Sequence, residues 1–305
     1  MTTLGVIGLS EGNGHPYSWS AIINGDYDAR VMADCGFPVI PQYLAANRDT
    51  LGIPGARVTH VWTQDAKISR GIAAASKIEH VADRLEDLIG AVDAVLLSRD
   101  DPETHVQFAR PFLDAGVPLF IDKPLAFNDA DLDYFVRQHE AGKFFMSCSS
   151  MRYASEHAPA KADFPSLGPI ELVTAVGKKD WPKYGVHMLE AAFALLGDPM
   201  PVAVRNSGRP HRDIVTVEFE SGVQASVHLF YDIAPTFQAS IFGRNAWRQV
   251  EYKNWYAMFR ANIVAFVESV RSGQPAIPFE KTRNIIRTLI AADKSRNQGG
   301  TAIQL

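Results

Sequence analysis

Nine residues near the start of the chain, Gly8-Leu9-Ser10-Glu11-Gly12-Asn13-Gly14-His15-Pro16, follow a short apolar run from Leu4 to Gly8 and precede a helical stretch. Strand, glycine-rich turn and helix in that order suit one chemistry well. Glycines let the backbone approach a pyrophosphate, and the helix start offers free N–H groups and a partial positive charge. Against a G-x-G-x-x-G pattern, Gly8 holds the first glycine position while Ser10 and Asn13 stand at the second and third. On these residues alone the loop is either a dinucleotide site or a plain tight turn. The same residues spell G-x-S-x-G from Gly8 to Gly12, a nucleophile-elbow pattern that would make Ser10 an attacking group. An elbow belongs in mid-sheet, after the strand whose loop builds the oxyanion hole, and nothing upstream of Ser10 could build one. A second strand, Val58 to Thr63, ends close to Asp65, with Thr63 where a carboxylate would hold an adenosine ribose. An uncharged residue there tolerates a 2′-phosphate, and it equally suits an ordinary strand end.

The elements around this loop alternate. Tyr17 to Asn24 reads as a helix with Pro16 in its first turn and Gly25 past its end. Residues 26–57 carry Pro38, Pro41 and Pro54 with no long period, an insertion with a short helix near Gln42 to Asn47. After the strand 58–63 come a helix over 66–76, a helical turn at 85–89 and a buried strand from Val92 to Ser98. A helix from Glu103 to Asp114, expected to kink at Pro111, leads to a strand from Val117 to Asp122. A helix capped by Asn128, with Leu132, Phe135, Val136 and His139 on its stripe, and a strand from Lys143 to Cys148 follow. This alternation predicts a doubly wound, Rossmann-type parallel sheet.

Beyond that the pattern changes. Strands are expected at 170–176, 202–206, 214–220, 223–230 and 237–242, with a tight turn at Ser221-Gly222 and one helix from His187 to Leu196. Helices over about 255–272 and 279–295 close the chain. Consecutive strands predict a second, α+β domain with a mostly antiparallel open sheet. The expected division is residues 1–124, with the 26–57 insertion, and residues 125–305.

With 305 residues, 47% of them hydrophobic and 21% charged, the chain can fill two cores. A net charge of −4 offers no broad surface for nucleic acid or an anionic membrane. No apolar stretch approaches the roughly 18 residues of a membrane span, and the N-terminus lacks a basic leader segment. Two cysteines, Cys35 and Cys148, fit a reducing cytoplasm and exclude a disulfide framework or a zinc cluster. No metal site is expected.

Four further motifs are more specific. The strand Asp93-Ala94-Val95-Leu96-Leu97-Ser98 leads to Pro102-Glu103-Thr104-His105. Ile121-Asp122-Lys123-Pro124-Leu125-Ala126 follows the next helix and strand, and Gly185-Val186-His187 lies in the later helix, with Met151-Arg152-Tyr153 after the linking strand. Together these resemble the glucose–fructose oxidoreductase/inositol dehydrogenase (Gfo/Idh/MocA) family, which carries Asp-Ala-Val…His, Glu-Lys-Pro-Leu-Ala, an Arg-Arg-Phe type segment and Gly-x-His. The resemblance runs from Leu4 to the last helix. It implies hydride transfer between NAD or NADP and a secondary alcohol or ketone of a sugar, polyol or sugar-acid derivative. It further implies cofactor contacts from Gly8, Ser10, Gly12, Asn13, Gly14, His15, Thr63, Ser98, His105, Asp122 and Lys123, and substrate contacts from Arg152, Tyr153, Trp181 and Tyr184. Lys123 is expected to orient the hydroxyl within a proton network, since ligands bind at that edge of a parallel sheet. His187 is expected to act as acid/base or as a hydrogen-bonder of substrate.

Three departures from the family stand out. Asp122 replaces Glu, Lys183 stands where the family often has Asp four residues before the histidine, and the glycine loop carries extra polar residues. Lys183 with Lys123 would make an electropositive pocket around His187, which favours an anionic sugar derivative. Two other activities remain open: an NAD-dependent glycosidase-type redox and elimination enzyme, and a non-catalytic dinucleotide-binding regulator. The expected assembly is a homodimer or homotetramer, paired through a sheet face carrying Val215, Val217, Ala225 and Val227.

Overall fold

A computed structural model describes residues 1–305. The chain forms two compact units: Met1–Leu125 with Asp133–Ser147 and Phe259–Phe279, and Ala126–Leu132 with Cys148–Met258 and Glu280–Leu305. The first unit thus takes in a helical segment far along the chain from residue 124.

In the first unit, β1 (Thr2–Gly8), β2 (Ala56–Thr63), β3 (His80–Val81), β4 (Ala94–Leu97), β5 (Leu119–Ile121) and β6 (Phe145–Met146) form an all-parallel sheet in the order β3-β2-β1-β4-β5-β6. The last five residues of β1 and every residue of β4 and β5 are buried, as strands covered on both faces must be. The strand order reverses between β1 and β4, so a crevice opens at their carboxyl ends, where ligands bind in such sheets.

Helix α1 (His15–Asn24) starts from Gly14 without a side-chain cap and ends at Gly25 in a left-handed conformation. Segment 26–57 is structured. It holds α2 (Ala29–Ala33) and α3 (Val39–Ala46), and it lies on α1. Tyr43 donates to Ser18 Oγ, and the backbone N–H groups of Gly52 and Ile53 donate to the carbonyls of Ile22 and Ile23. This covering explains why α1 is buried from Pro16 to Ile23, with no exposed polar face.

Helices α4 (Ala66–Ser76) and α5 (His105–Ala115) follow β2 and β4, and α5 continues across Pro111 to a left-handed Gly116. Helix α6 is Asp129–Glu140.

From Cys148 the second unit continues with a 3₁₀ turn, Ser150–Tyr153, and two short helices, α7 (His157–Ala162) and α8 (Phe164–Leu167). Its sheet has seven strands: β7 (Ile170–Lys178), β8 (Pro201–Asn206), β9 (Arg212–Phe219), β10 (Gln224–Phe230), β11 (Phe237–Gly243), β12 (Trp247–Glu251) and β13 (Ile303–Gln304). Their order is β12-β11-β7-β10-β9-β8-β13, antiparallel except where β7 pairs with β10. Helix α9 (Trp181–Leu196) lies on one face and starts a turn and a half before His187, with Asp180 as its cap. Helices α10 (Trp255–Ser272) and α11 (Phe279–Asn297) complete the chain.

The expected outward residues of this sheet are a correction. Val215 pairs with Val227 and Val217 with Ala225, and all four are fully buried. Side chains alternate across a strand, so the other parity, Ile214, Thr216, Ser226 and His228, occupies the open face.

Candidate functional site

In the first unit the expected cofactor residues gather at the carboxyl edge of the sheet. Gly8 ends β1 opposite Thr63 of β2. A Cβ on Gly8 would lie 2.7 Å from Pro16 Cγ and 3.1 Å from the Ser98 carbonyl oxygen, so only glycine lets α1 and the end of β4 close on this strand. Gly12 has φ +77°, and a Cβ there would meet nothing within 4 Å: the loop needs its conformation, and its outer side is open.

Asp122 ties the loop to the end of β5. Its Oδ2 accepts from Asn13 Nδ2 at 2.8 Å and faces His15 Nδ1 at 2.6 Å, while Oδ1 accepts from the backbone N–H of Lys123 at 2.8 Å. Burial by itself would raise this carboxyl. The facing His15 and Lys123 and the two side-chain hydrogen bonds outweigh it and hold Asp122 well below the usual carboxylate range. His15 stacks on Trp19, and Phe259 from the late helical segment meets its edge.

Sequence reasoning missed Asp100. Ser10 Oγ donates to Asp100 Oδ1 at 2.7 Å, the Asp100 N–H returns a bond to Ser10 Oγ at 3.0 Å, and Lys123 Nζ lies 3.5 Å from Asp100 Oδ2. Lys123 is therefore held against the glycine loop, with its ammonium group fixed by an acid from the loop after β4. The available signal was the charged run Arg99-Asp100-Asp101 directly past a buried strand. Arg99 donates to the Leu9 carbonyl and to Gln64, pairs with Asp101, and lies over the Phe108 ring.

Beyond Arg99 a cleft of about 410 Å³ is lined by Trp62, Arg84, Leu85, Gln107, Phe108 and Pro111, among others, with the Trp62 and Phe108 rings 6.0 Å apart. The two rings are tilted by 52° to one another.

Three expected cofactor residues are engaged inward. The Thr63 hydroxyl donates to the Asp65 carbonyl and meets Ser69 Oγ. Ser98 is wholly buried. His105 sets one ring nitrogen against the Leu125 carbonyl and the other against that of Arg99, which joins the loops after β4 and β5. Asp65 caps α4, accepting from Lys67 N and Ile68 N.

In the second unit His187 and Lys183 lie one turn apart on α9 and so share a face. His187 Nδ1 is 2.6 Å from Ser149 Oγ, and the Tyr184 ring lies 5.1 Å from the imidazole and stacks on Phe237. Lys179 donates to the Tyr184 hydroxyl.

Arg152 and Trp181 are bonded to other partners. Trp181 is buried and donates to the Leu289 carbonyl. The Arg152 guanidinium bonds Glu190 through Nε at 2.6 Å and Asp198 through both terminal nitrogens, at 3.0 and 2.7 Å. Burial pushes the Glu190 carboxyl up, with Arg152 pulling the other way. Tyr153 is half-buried, and burial pushes its phenol up.

A guanidinium so fully paired braces the 150–153 turn against α9. Arg152→Met should destabilise the protein by roughly 3–5 kcal/mol, because it strands the buried Glu190 and leaves Asp198 only its Lys281 pair. The urea midpoint measures this, and an unchanged midpoint would show that the pairs contribute nothing.

Residues 36–144 match the sequence profile of an oxidoreductase family with an NAD-binding Rossmann fold. Over 98 residues the chain is 41% identical to inositol 2-dehydrogenase 1 of Saccharopolyspora erythraea, a match taking in 31% of this chain and 28% of that protein. A probable dehydrogenase from Thermotoga maritima shares the fold with a TM-score of 0.79 at 15% identity, over 99% of this chain and 98% of that one. The scyllo-inositol dehydrogenase of Lactobacillus casei, solved with NAD(H) and scyllo-inositol, does so with a TM-score of 0.76 at 13% identity, over 100% and 99%. No helix is long and apolar enough to cross a membrane.

Proposed function

We propose, from the match of residues 36–144 to the Gfo/Idh/MocA oxidoreductase profile, that the chain is an NAD(P)-dependent dehydrogenase or reductase. Its substrate is a secondary alcohol or ketone in a polyol, sugar or sugar-acid derivative. The observation that carries this proposal is Lys123, held by Asp100 beside Ser10 at the carboxyl edge of a parallel sheet.

The dinucleotide, when bound, supplies the hydride acceptor or donor. The protein must seat it, orient the carbinol and handle one proton. The Gly12 loop and the α1 N-terminus would hold the pyrophosphate, and the Trp62–Phe108 cleft the adenine. Asn13 and His15, clamped by Asp122, keep the loop closed on β5. With Thr63 turned inward and Asp65 spent as a cap, the 2′ position meets no carboxylate from the end of β2, so both NAD and NADP are accepted. Lys123 of the first unit is the group proposed to orient the substrate hydroxyl, and His187 of the second is proposed as acid/base or as a hydrogen-bonder of substrate.

Lys183, on the His187 face of α9, favours a substrate with a carboxylate. A matched pair, a hexuronate and its neutral hexose, tests this on wild type and Lys183→Met. Wild type should prefer the acid and the variant should lose the preference. Equal activity ratios in both proteins would remove Lys183 from substrate selection.

A second copy of this chain is the expected partner. The open sheet face carries Leu172, Val176, Ile214 and Phe230, with Phe242 and Trp247 exposed at its edge. Light scattering at micromolar concentration should give a dimer or tetramer mass. A monomer would contradict this pairing.

A further inference from the structure

The chain turns from β7 into α9 through Lys179, whose φ of +89° lies in the left-handed region that a lysine rarely adopts. Glycine fits such a turn without strain. The neighbouring bonds impose the conformation: the Lys178 N–H donates to the Thr236 carbonyl at 3.2 Å, and the Lys179 N–H to that of Phe230 at 3.1 Å. A surface lysine commonly leaves its ammonium group in water. This one folds back and donates to the Tyr184 hydroxyl at 2.6 Å, and it pairs with no carboxylate. The phenol ring is itself held. It stacks on Phe237 with centroids 6.1 Å apart, and Phe237 meets the edge of Trp255 at 5.1 Å. An ammonium group can only donate. The phenol oxygen therefore accepts from Lys179, and its own hydrogen, which meets no acceptor in the protein, is left to give.

Resting on the dehydrogenase function proposed above, we infer that Lys179 is a positioning residue that fixes the Tyr184 hydroxyl as a hydrogen-bond donor to the substrate. The phenol gives its hydrogen to an oxygen of the sugar, polyol or sugar acid. The ammonium group strengthens that donor, because a hydrogen bond accepted by a hydroxyl oxygen polarises its O–H. The Tyr184 ring stands 5.1 Å from the His187 imidazole, so its bond falls on the substrate beside the group proposed as acid/base. Tyr184 moves neither the hydride nor the hydroxyl proton, and the pair contributes to binding. Backbone strain of this kind persists where a side chain is needed. A glycine at 179 would relax the turn and leave the phenol unheld.

The test uses the full chain with NAD and NADP and a panel of scyllo-inositol, a hexuronate and its neutral hexose. Lys179→Gly should raise KM for the preferred member about tenfold and leave dinucleotide affinity unchanged. Its urea midpoint should stay equal or rise, which a merely structural lysine would not allow. Tyr184→Phe should raise KM by a similar factor, and combining it with Lys179→Gly should add no more than about twofold. Lys179→Arg, which keeps a cationic donor, should restore most of the loss. A second readout is the carbon-13 signal of the Tyr184 ring carbon that bears the hydroxyl, assigned through Tyr184→Phe. It should move when a panel member is added to wild type, and move less in Lys179→Gly. A KM indifferent to Lys179→Gly, a lower urea midpoint in that variant, or a Tyr184 signal that no panel member moves would overturn the inference. If a panel member moves the signal but none is turned over with either dinucleotide, the dehydrogenase function fails and the inference stands. Turnover without movement of the signal has the opposite meaning.

Discussion

Lys123→Ala is expected to lower kcat by about 10²–10⁴-fold while dinucleotide affinity stays within about tenfold. The reason is where the ammonium group sits. It is nearly buried, 3.5 Å from Asp100 Oδ2, at the sheet edge where we propose that a substrate hydroxyl is oriented. It is not among the groups that close the glycine loop. Those are Asn13, His15 and Asp122, whose bonds survive the substitution. Its interactions with the reacting oxygen should strengthen as charge develops, and such interactions appear in kcat. Single-turnover kinetics with the preferred substrate, alongside a calorimetric titration of the dinucleotide, separates the two effects. Near-normal turnover would remove Lys123 from the chemistry. A collapse of cofactor affinity would make it a binding group.

Gly12→Val is expected to abolish dinucleotide binding and leave the fold intact. At φ +77° a β-branched residue is strained, and the loop must move to relieve it. Nothing lies within 4 Å of a Cβ at this position, so the substitution breaks no packing. The new side chain would instead occupy the open side of the loop, where the backbone has to approach the pyrophosphate. Thermal unfolding checks the fold, and calorimetry checks the binding. Unchanged affinity would mean that the pyrophosphate sits elsewhere.

The first sheet was readable in the sequence because its strands are buried on both faces. Leu4–Gly8, Val92–Ser98 and Val117–Asp122 stand out as apolar runs bounded by turns, and their order with the intervening helices gives the doubly wound topology. Segment 26–57 was less readable, because α2 and α3 are too short to show a period and depend on α1 for their order. The second sheet shows its alternation in Val215 and Val217 against Thr216 and Glu218. Which parity α9 covers is a packing outcome, and the more apolar parity takes the covered side.

The candidate site divides in the same way. Asp122 and Lys123 could be found because they follow a buried strand. Asp100 could not, since a charged run looks solvated until Ser10, 90 positions away, is seen to bond it. Arg152 drew attention as a substrate binder because its acids, Glu190 and Asp198, lie 38 and 46 positions downstream. No local pattern records such a pairing. Ser149 was silent for the same reason: its partner His187 is 38 positions away.

The most direct measurement of the central claim is native mass spectrometry of the purified chain, before and after addition of NAD or NADP. The account predicts one dinucleotide per chain, carried through purification or taken up on addition, and lost in Gly12→Val. A folded wild-type protein that acquires neither dinucleotide at saturating concentration would contradict it.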